Sequence, residues 1–142
     1  IDGVTFIATG YSFHERSGSA VKPPLKIRSK LELLKNTNVG TSTVIIDRIF
    51  LGESRFSNRE FSQDTELWAK LADDPSFRYD SVAIAMTVYR PSLRTRNKAR
   101  QLFYFFKLCR DLHLTLLQLI QVMCRYSFNG LRRHLLNMLK GT

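Results

Sequence analysis

The texture of the chain changes near residue 90, and this change constrains the fold more than any other feature of the sequence. Before it, short runs of β-branched and aromatic residues alternate with polar segments punctuated by Gly and Pro. After it, leucines and phenylalanines recur at helical spacing. Charge divides the same way. Residues 1–89 carry eleven Lys and Arg against eleven Asp and Glu, whereas residues 90–142 carry eleven basic residues against Asp111 alone, so the whole formal charge of +10 sits in the second segment. This pattern predicts a mixed α/β body followed by a cationic helical tail. At 142 residues the chain is long enough for one compact domain and hardly more.

Local signals place the elements. Val4 to Phe13 reads as a strand, with a turn at Ser17-Gly18-Ser19, and Lys22-Pro23-Pro24 is extended because proline biases itself and its predecessor away from helix. Ser29 is suited to cap a short helix carrying Leu31, Leu33 and Leu34, which Asn36 to Gly40 ends. The uninterrupted apolar run Val44-Ile45-Ile46 predicts a strand buried on both faces. Residues 50–61 show no period and predict a loop. Ser62 or Asp64 then caps a helix bearing Leu67, Trp68 and Leu71, stopped by Asp73-Asp74-Pro75. Val82 to Tyr89 is a second apolar strand. From Thr95 onward the spacing predicts two or three helices, with Gly130 interrupting before a last amphipathic piece.

Several chemistries lack their signatures. The chain has no GxGxxG, GxxxxGK[ST], HExxH, GxSxG or CxxC. Cys109 and Cys124 do not make a disulfide framework, His14, His113 and His134 form no zinc-ligand spacing, and free, buried thiols in a reducing compartment are expected. Arg90, Arg94, Arg96, Lys98 and Arg100 accompany no nucleic-acid motif, so nucleic acid is not an expected partner. The longest uncharged stretch of the tail, Leu112 to Cys124, is 13 residues and falls short of the roughly 20 that a spanning helix needs. The tail is therefore expected to pack on the body or on a second copy as a homodimer contact. Peripheral contact of residues 95–140 with an anionic membrane is the other use of its cationic, apolar character.

Three segments in order carry a resemblance: Ser42-Thr43-Val44-Ile45-Ile46-Asp47-Arg48, Gln63-Asp64-Thr65-Glu66-Leu67-Trp68 and Val88-Tyr89-Arg90. With Thr9-Gly10-Tyr11 and the Lys22-Pro23-Pro24 step, they resemble the C-terminal half of family 2 glycosyltransferases, closest to bacterial enzymes of cell-envelope and surface-polysaccharide assembly. The resemblance covers about residues 4–90. It implies a partial GT-A fold over residues 1–90, the acceptor-side half of a nucleotide-sugar transferase, with residues 91–142 as a basic amphipathic helical tail. It also implies an inverting transfer from a nucleotide-sugar donor to a glycan or lipid-linked acceptor, at the cytoplasmic side of the plasma membrane. By the same resemblance Asp64 is the catalytic base, while Gln63, Trp68, Thr41, Ser42 and Arg90 contact substrate. The divalent cation (Mg or Mn) of such enzymes is held by an Asp-x-Asp of the other half, which this sequence lacks, and the first residue, Ile1, is not an initiator Met. A fragment without transferase activity of its own is the expectation. The alternative is a non-enzymatic basic helical module that binds an anionic membrane surface or nucleic acid.

Overall fold

A computed structural model describes residues 3–13, 20–36, 38–89 and 97–139 of the chain. It is a mixed α/β structure. Four strands, β1 (Phe6–Phe13), β2 (Ala20–Val21), β3 (Val44–Ile46) and β4 (Tyr79–Tyr89), form one sheet, accompanied by five helices among the described residues. These are α1 (Lys30–Lys35), α2 (Arg48–Leu51), α3 (Gln63–Leu71), α4 (Lys98–Asp111) and α5 (Leu116–Leu139).

β1 organises the sheet. It pairs antiparallel with β3 through Phe6 to Ala8 and with β2 through Tyr11 and Ser12, and it pairs parallel with β4 along its whole length. A strand has two edges, so β4 occupies one edge of β1 while β2 and β3 share the other. The parallel pairing requires a crossover, and α1 and α3 lie within it. The register of β1 on β4 shifts on both sides of Gly10. There a Cβ would meet the carbonyl oxygens of Ile84 at 3.0 Å and Val21 at 3.1 Å, so any side chain would push the neighbouring backbones apart by a few tenths of an ångström.

Alternation along β1 buries Phe6 and Ala8 completely. Phe6 meets Trp68 of α3 edge-on at 5.3 Å and stacks near Tyr79 of β4 at 6.0 Å. Leu33 and Leu34 of α1 and Leu67, Ala69 and Leu71 of α3 complete this layer. The helical tail joins the same core through Phe105, Leu108, Cys109, Leu112 and Val122, with the rings of Phe105 and Tyr126 stacked at 4.3 Å. Ionic and polar bonds add to the attachment. Arg59 bonds Asp111 at 2.6 Å, Arg100 bonds Glu60 at 2.6 Å, and Lys35 donates to Gln121 at 2.9 Å.

Ser29 caps α1 as its sequence predicts, accepting from the Glu32 amide at 3.3 Å. Three expectations are corrected. β3 is a strand but is not buried on both faces, since Ile45 is 62% exposed. The loop expected over residues 50–61 begins at Gly52 instead, because Asp47 caps the one-turn α2 by accepting from the amides of Ile49 and Phe50 at 2.7 and 3.3 Å. Gly130 does not interrupt the tail either, because α5 runs through it as one helix. Neighbouring packing supplies the stability that glycine lacks. A Cβ at Gly130 meets nothing within 4 Å, so Gly130→Ala should raise stability by about 0.5–1 kcal/mol, readable as a higher urea midpoint at unchanged slope.

The two thiols also differ from expectation. Both are free, but only Cys109 is buried, and burial pushes its thiol up to about 12, whereas Cys124 is exposed on α5. A thiol-directed reagent at neutral pH should therefore label one cysteine of the native chain and both in denaturant. Peptide mapping should place the native label on Cys124.

Candidate functional site

Thr41, Ser42 and Asp64, three of the residues singled out by sequence, lie where the 3-10 turn Thr41–Thr43 meets the start of α3. Gly40 and Thr43 shape that turn, the Thr43 hydroxyl donating to the Gly40 carbonyl at 2.7 Å. Thr43 is buried, and its carbonyl accepts from the Thr9 hydroxyl of β1 at 3.3 Å. The carbonyl of Ser42 accepts from Thr87 of β4 at 3.0 Å. The turn is thus bonded to β1 and to β4, and it presents Thr41 and Ser42 at the surface.

Across from it, α3 begins after Ser62, whose backbone is left-handed at φ 59° and whose side chain makes no capping bond. Asp64 is the second residue of the helix rather than its cap. Its Oδ1 accepts from the Thr65 amide at 2.7 Å and from the Thr65 hydroxyl at 3.3 Å. Its Oδ2 accepts from the Thr41 hydroxyl at 3.0 Å, across 23 positions of sequence. A carboxylate in the first turn of a helix is favoured by the positive end of the helix dipole.

The other predicted site residues fall elsewhere. Gln63 turns back on its own loop and donates its side-chain amide to the Arg59 carbonyl. Trp68 lies in the core at 4% exposure, edge-on to both Phe6 and Phe56. Its ring has no open face on which a sugar would stack, because α3 turns its apolar side to the sheet. Its Nε1 is a buried polar atom without a partner. Arg90 lies outside the described residues. Thr41, Ser42 and Asp64 are therefore the predicted group that the fold brings together.

Sequence reasoning passed over two features. Thr87 sits in an apolar strand and orders the turn through the Ser42 carbonyl; a lone hydroxyl in a run of apolar residues is its only sequence signal. The second is a charged cluster around Glu66, two residues beyond Asp64 and on the other side of α3. Glu66 is 6% exposed, bonded by Arg59 at 2.5 Å, by Lys70 at 2.7 Å and by the Ser57 hydroxyl at 2.5 Å. Burial pushes its carboxyl up, but the bonds from Lys70, Ser57 and Arg59 outweigh this and hold it at about 2. Arg59 in turn is raised by its bond to Asp111 against the cost of burial. Only the Glu66–Lys70 spacing is visible in sequence, as an i,i+4 pair.

A shallow depression of about 290 Å³ also opens around Ile7 and Ile45, rimmed by Asp47 and Arg48, and shares no residue with the Asp64 group. Among the described residues, no three His, Cys, Asp or Glu side chains gather to hold a metal ion. The cation implied by the resemblance has no such ligand set among the described residues. Among the described residues, no helix is long and apolar enough to cross a membrane.

Compared with known proteins, the chain matches no family model, no curated protein and no solved structure.

Proposed function

We propose that the chain is the acceptor-side half of an inverting glycosyltransferase of GT-A type, with Asp64 as the general base. The observation that carries this reading is the bond between Thr41 and Asp64 at 3.0 Å, which joins the residue just before one motif of the resemblance to a second motif in one surface group. In an inverting transfer, the acceptor hydroxyl attacks the anomeric carbon of a nucleotide-sugar while the nucleoside diphosphate leaves from the opposite face. A carboxylate within hydrogen-bond reach takes the hydroxyl proton as the new bond forms. Asp64 is suited to that role. Oδ1 is held by Thr65, which fixes the plane of the carboxylate, and Oδ2 is shared with a surface hydroxyl that an acceptor hydroxyl can replace. Thr41 and Ser42 would orient the acceptor, while Gln63 and Trp68 support α3 rather than touch substrate.

The sheet is consistent with part of a larger α/β sandwich. β4 leaves Ile84 and Met86 each 68% exposed, and its outer edge takes no strand among the described residues. Exposed apolar strands of this kind normally meet further structure. In this reading the nucleotide-binding half would contribute the missing neighbour, the donor site and the cation.

Reading the gene upstream of Ile1, and assaying the complete product, tests the proposal. A strand-rich upstream segment with Asp-x-Asp, and release of nucleoside diphosphate from a nucleotide-sugar in the presence of a glycan or lipid-linked acceptor, are the expected results. A start codon in place of Ile1, or a complete product that transfers no sugar, would overturn it.

A further inference from the structure

The α4–α5 hairpin buries one side and leaves another apolar side bare. Its helices are joined through residues 112–115, and Phe105 of α4 stacks on Tyr126 of α5. At ~100° per residue, the buried Phe105, Leu108 and Cys109 mark the inward face of α4. Leu102 and Phe106 stand about a quarter turn away, and Phe103, 63% exposed, lies nearly opposite the buried face. On α5, Val122 is fully buried and Lys35 of α1 bonds Gln121. Leu117, Ile120, Cys124, Phe128 and Leu131 recur three or four residues apart as a continuous stripe on the other side, with Leu117 66% exposed. On each helix, then, the exposed apolar side chains lie away from the residues it buries, on the outside of the hairpin.

Cations border this face. Lys98, Lys107 and Arg110 on α4 and Arg125 on α5 are exposed and take part in no ion pair among the described residues. The only acidic residue of the tail, Asp111, is already bonded to Arg59. A second copy laid on this face would bring cations against cations with no free carboxylate to offset them. An anionic lipid surface supplies both what the stripe lacks, apolar cover, and what its borders lack, negative charge.

We infer that the outer face of the α4–α5 hairpin docks flat on an anionic bilayer, with Leu117, Ile120 and Phe103 entering the acyl boundary and Lys107 and Arg110 meeting headgroup phosphates. The inference is independent of the transferase reading. It applies to the chain whether or not Asp64 is a base.

Co-sedimentation with vesicles tests it directly. The chain should bind phosphatidylcholine vesicles containing phosphatidylglycerol, bind phosphatidylcholine alone at least tenfold more weakly, and dissociate as salt is raised. A nitroxide on Cys124 should report burial below the headgroups, while Cys109 stays unlabelled. Replacing Leu117 and Ile120 by Gln should weaken partitioning by on the order of tenfold or more, and the helical circular dichroism should stay unchanged because both side chains are exposed. Lys107→Glu with Arg110→Glu, which leaves the stripe intact, should remove the preference for anionic lipid. Equal binding to both vesicles, no binding to either, or a solution dimer that shields Cys124 without lipid would each overturn the inference.

Discussion

Asp64→Asn in the complete enzyme should lower turnover by on the order of 10²–10⁴-fold at saturating donor and acceptor, with little change in thermal midpoint. The substitution keeps the size of the side chain and its acceptor oxygen toward Thr65, but it removes the group that takes a proton. Structure makes the separation of effects cleaner than sequence alone does. Asp64 is not the cap of α3, so no capping bond is at stake; its favourable interaction with the helix N-terminus, about 0.3–1 kcal/mol, is lost, and toward Thr41 a donating amide nitrogen replaces the accepting oxygen. Thr41→Ala provides the companion measurement. It removes the hydroxyl that bonds Oδ2 and leaves the carboxylate, so a positioning role would appear as a much smaller loss of kcat with a rise in the acceptor KM. Normal turnover in Asp64→Asn, or a loss that only tracks unfolding, would remove Asp64 from the chemistry.

Elements set by local chemistry were legible in the sequence. Ser29 three residues before Glu32, the apolar period of Leu67, Trp68 and Leu71, and the stop at Asp73-Asp74-Pro75 each act within one or two turns of chain, and each appears where the sequence places it. The run Val82 to Tyr89 is a strand as well, extended back to Tyr79, whose hydroxyl donates to the Pro24 carbonyl and so ties the extended Lys22-Pro23-Pro24 segment to β4. Burial was less legible, because it depends on what lies across the sheet. The apolar run around Ile45 was expected between two layers, and Ile45 faces outward. The interruption at Gly130 fails for a related reason. The cost of one glycine is small beside the packing of Val122, Met123 and Tyr126, so a long helix tolerates it.

The candidate site divides in the same way. Asp64 and Thr41 were named from motifs, and their meeting across 23 residues is a product of the fold rather than of any local pattern. Trp68 was named as a sugar contact, with a place in the core as the alternative, and its position on the inward side of α3 assigns it to the core. Arg59 carries no signal at all in the sequence. Its importance arises from Asp111, 52 residues away, and from a glutamate that the helix turns inward.

That inward glutamate should control how the chain responds to acid. Glu66 joins the loop before α3 through Ser57 and Arg59, α3 itself through Lys70, and the end of α4 through Arg59 and Asp111. Its carboxyl is held at about 2, below its ordinary 4.5, so the folded state binds this proton more weakly than the unfolded chain does. The stabilisation is therefore complete above about pH 4.5, where the unfolded carboxyl is also ionised, and it is lost as pH falls toward 2. Glu66→Gln keeps the volume and a hydrogen bond for Ser57 while removing the charge. Arg59 would keep Asp111, and Lys70 is exposed enough to be hydrated, so the expected loss at neutral pH is about 2–3 kcal/mol, below that of a buried pair broken outright. That corresponds to a drop in thermal midpoint of roughly 10 °C. Acid should erase the difference. The parent chain should lose stability between about pH 4.5 and 2 while the variant changes less, so their urea midpoints should converge. A deficit of the same size at pH 7 and near pH 2 would show that packing of the side chain, rather than its charge, joins the loop, α3 and α4.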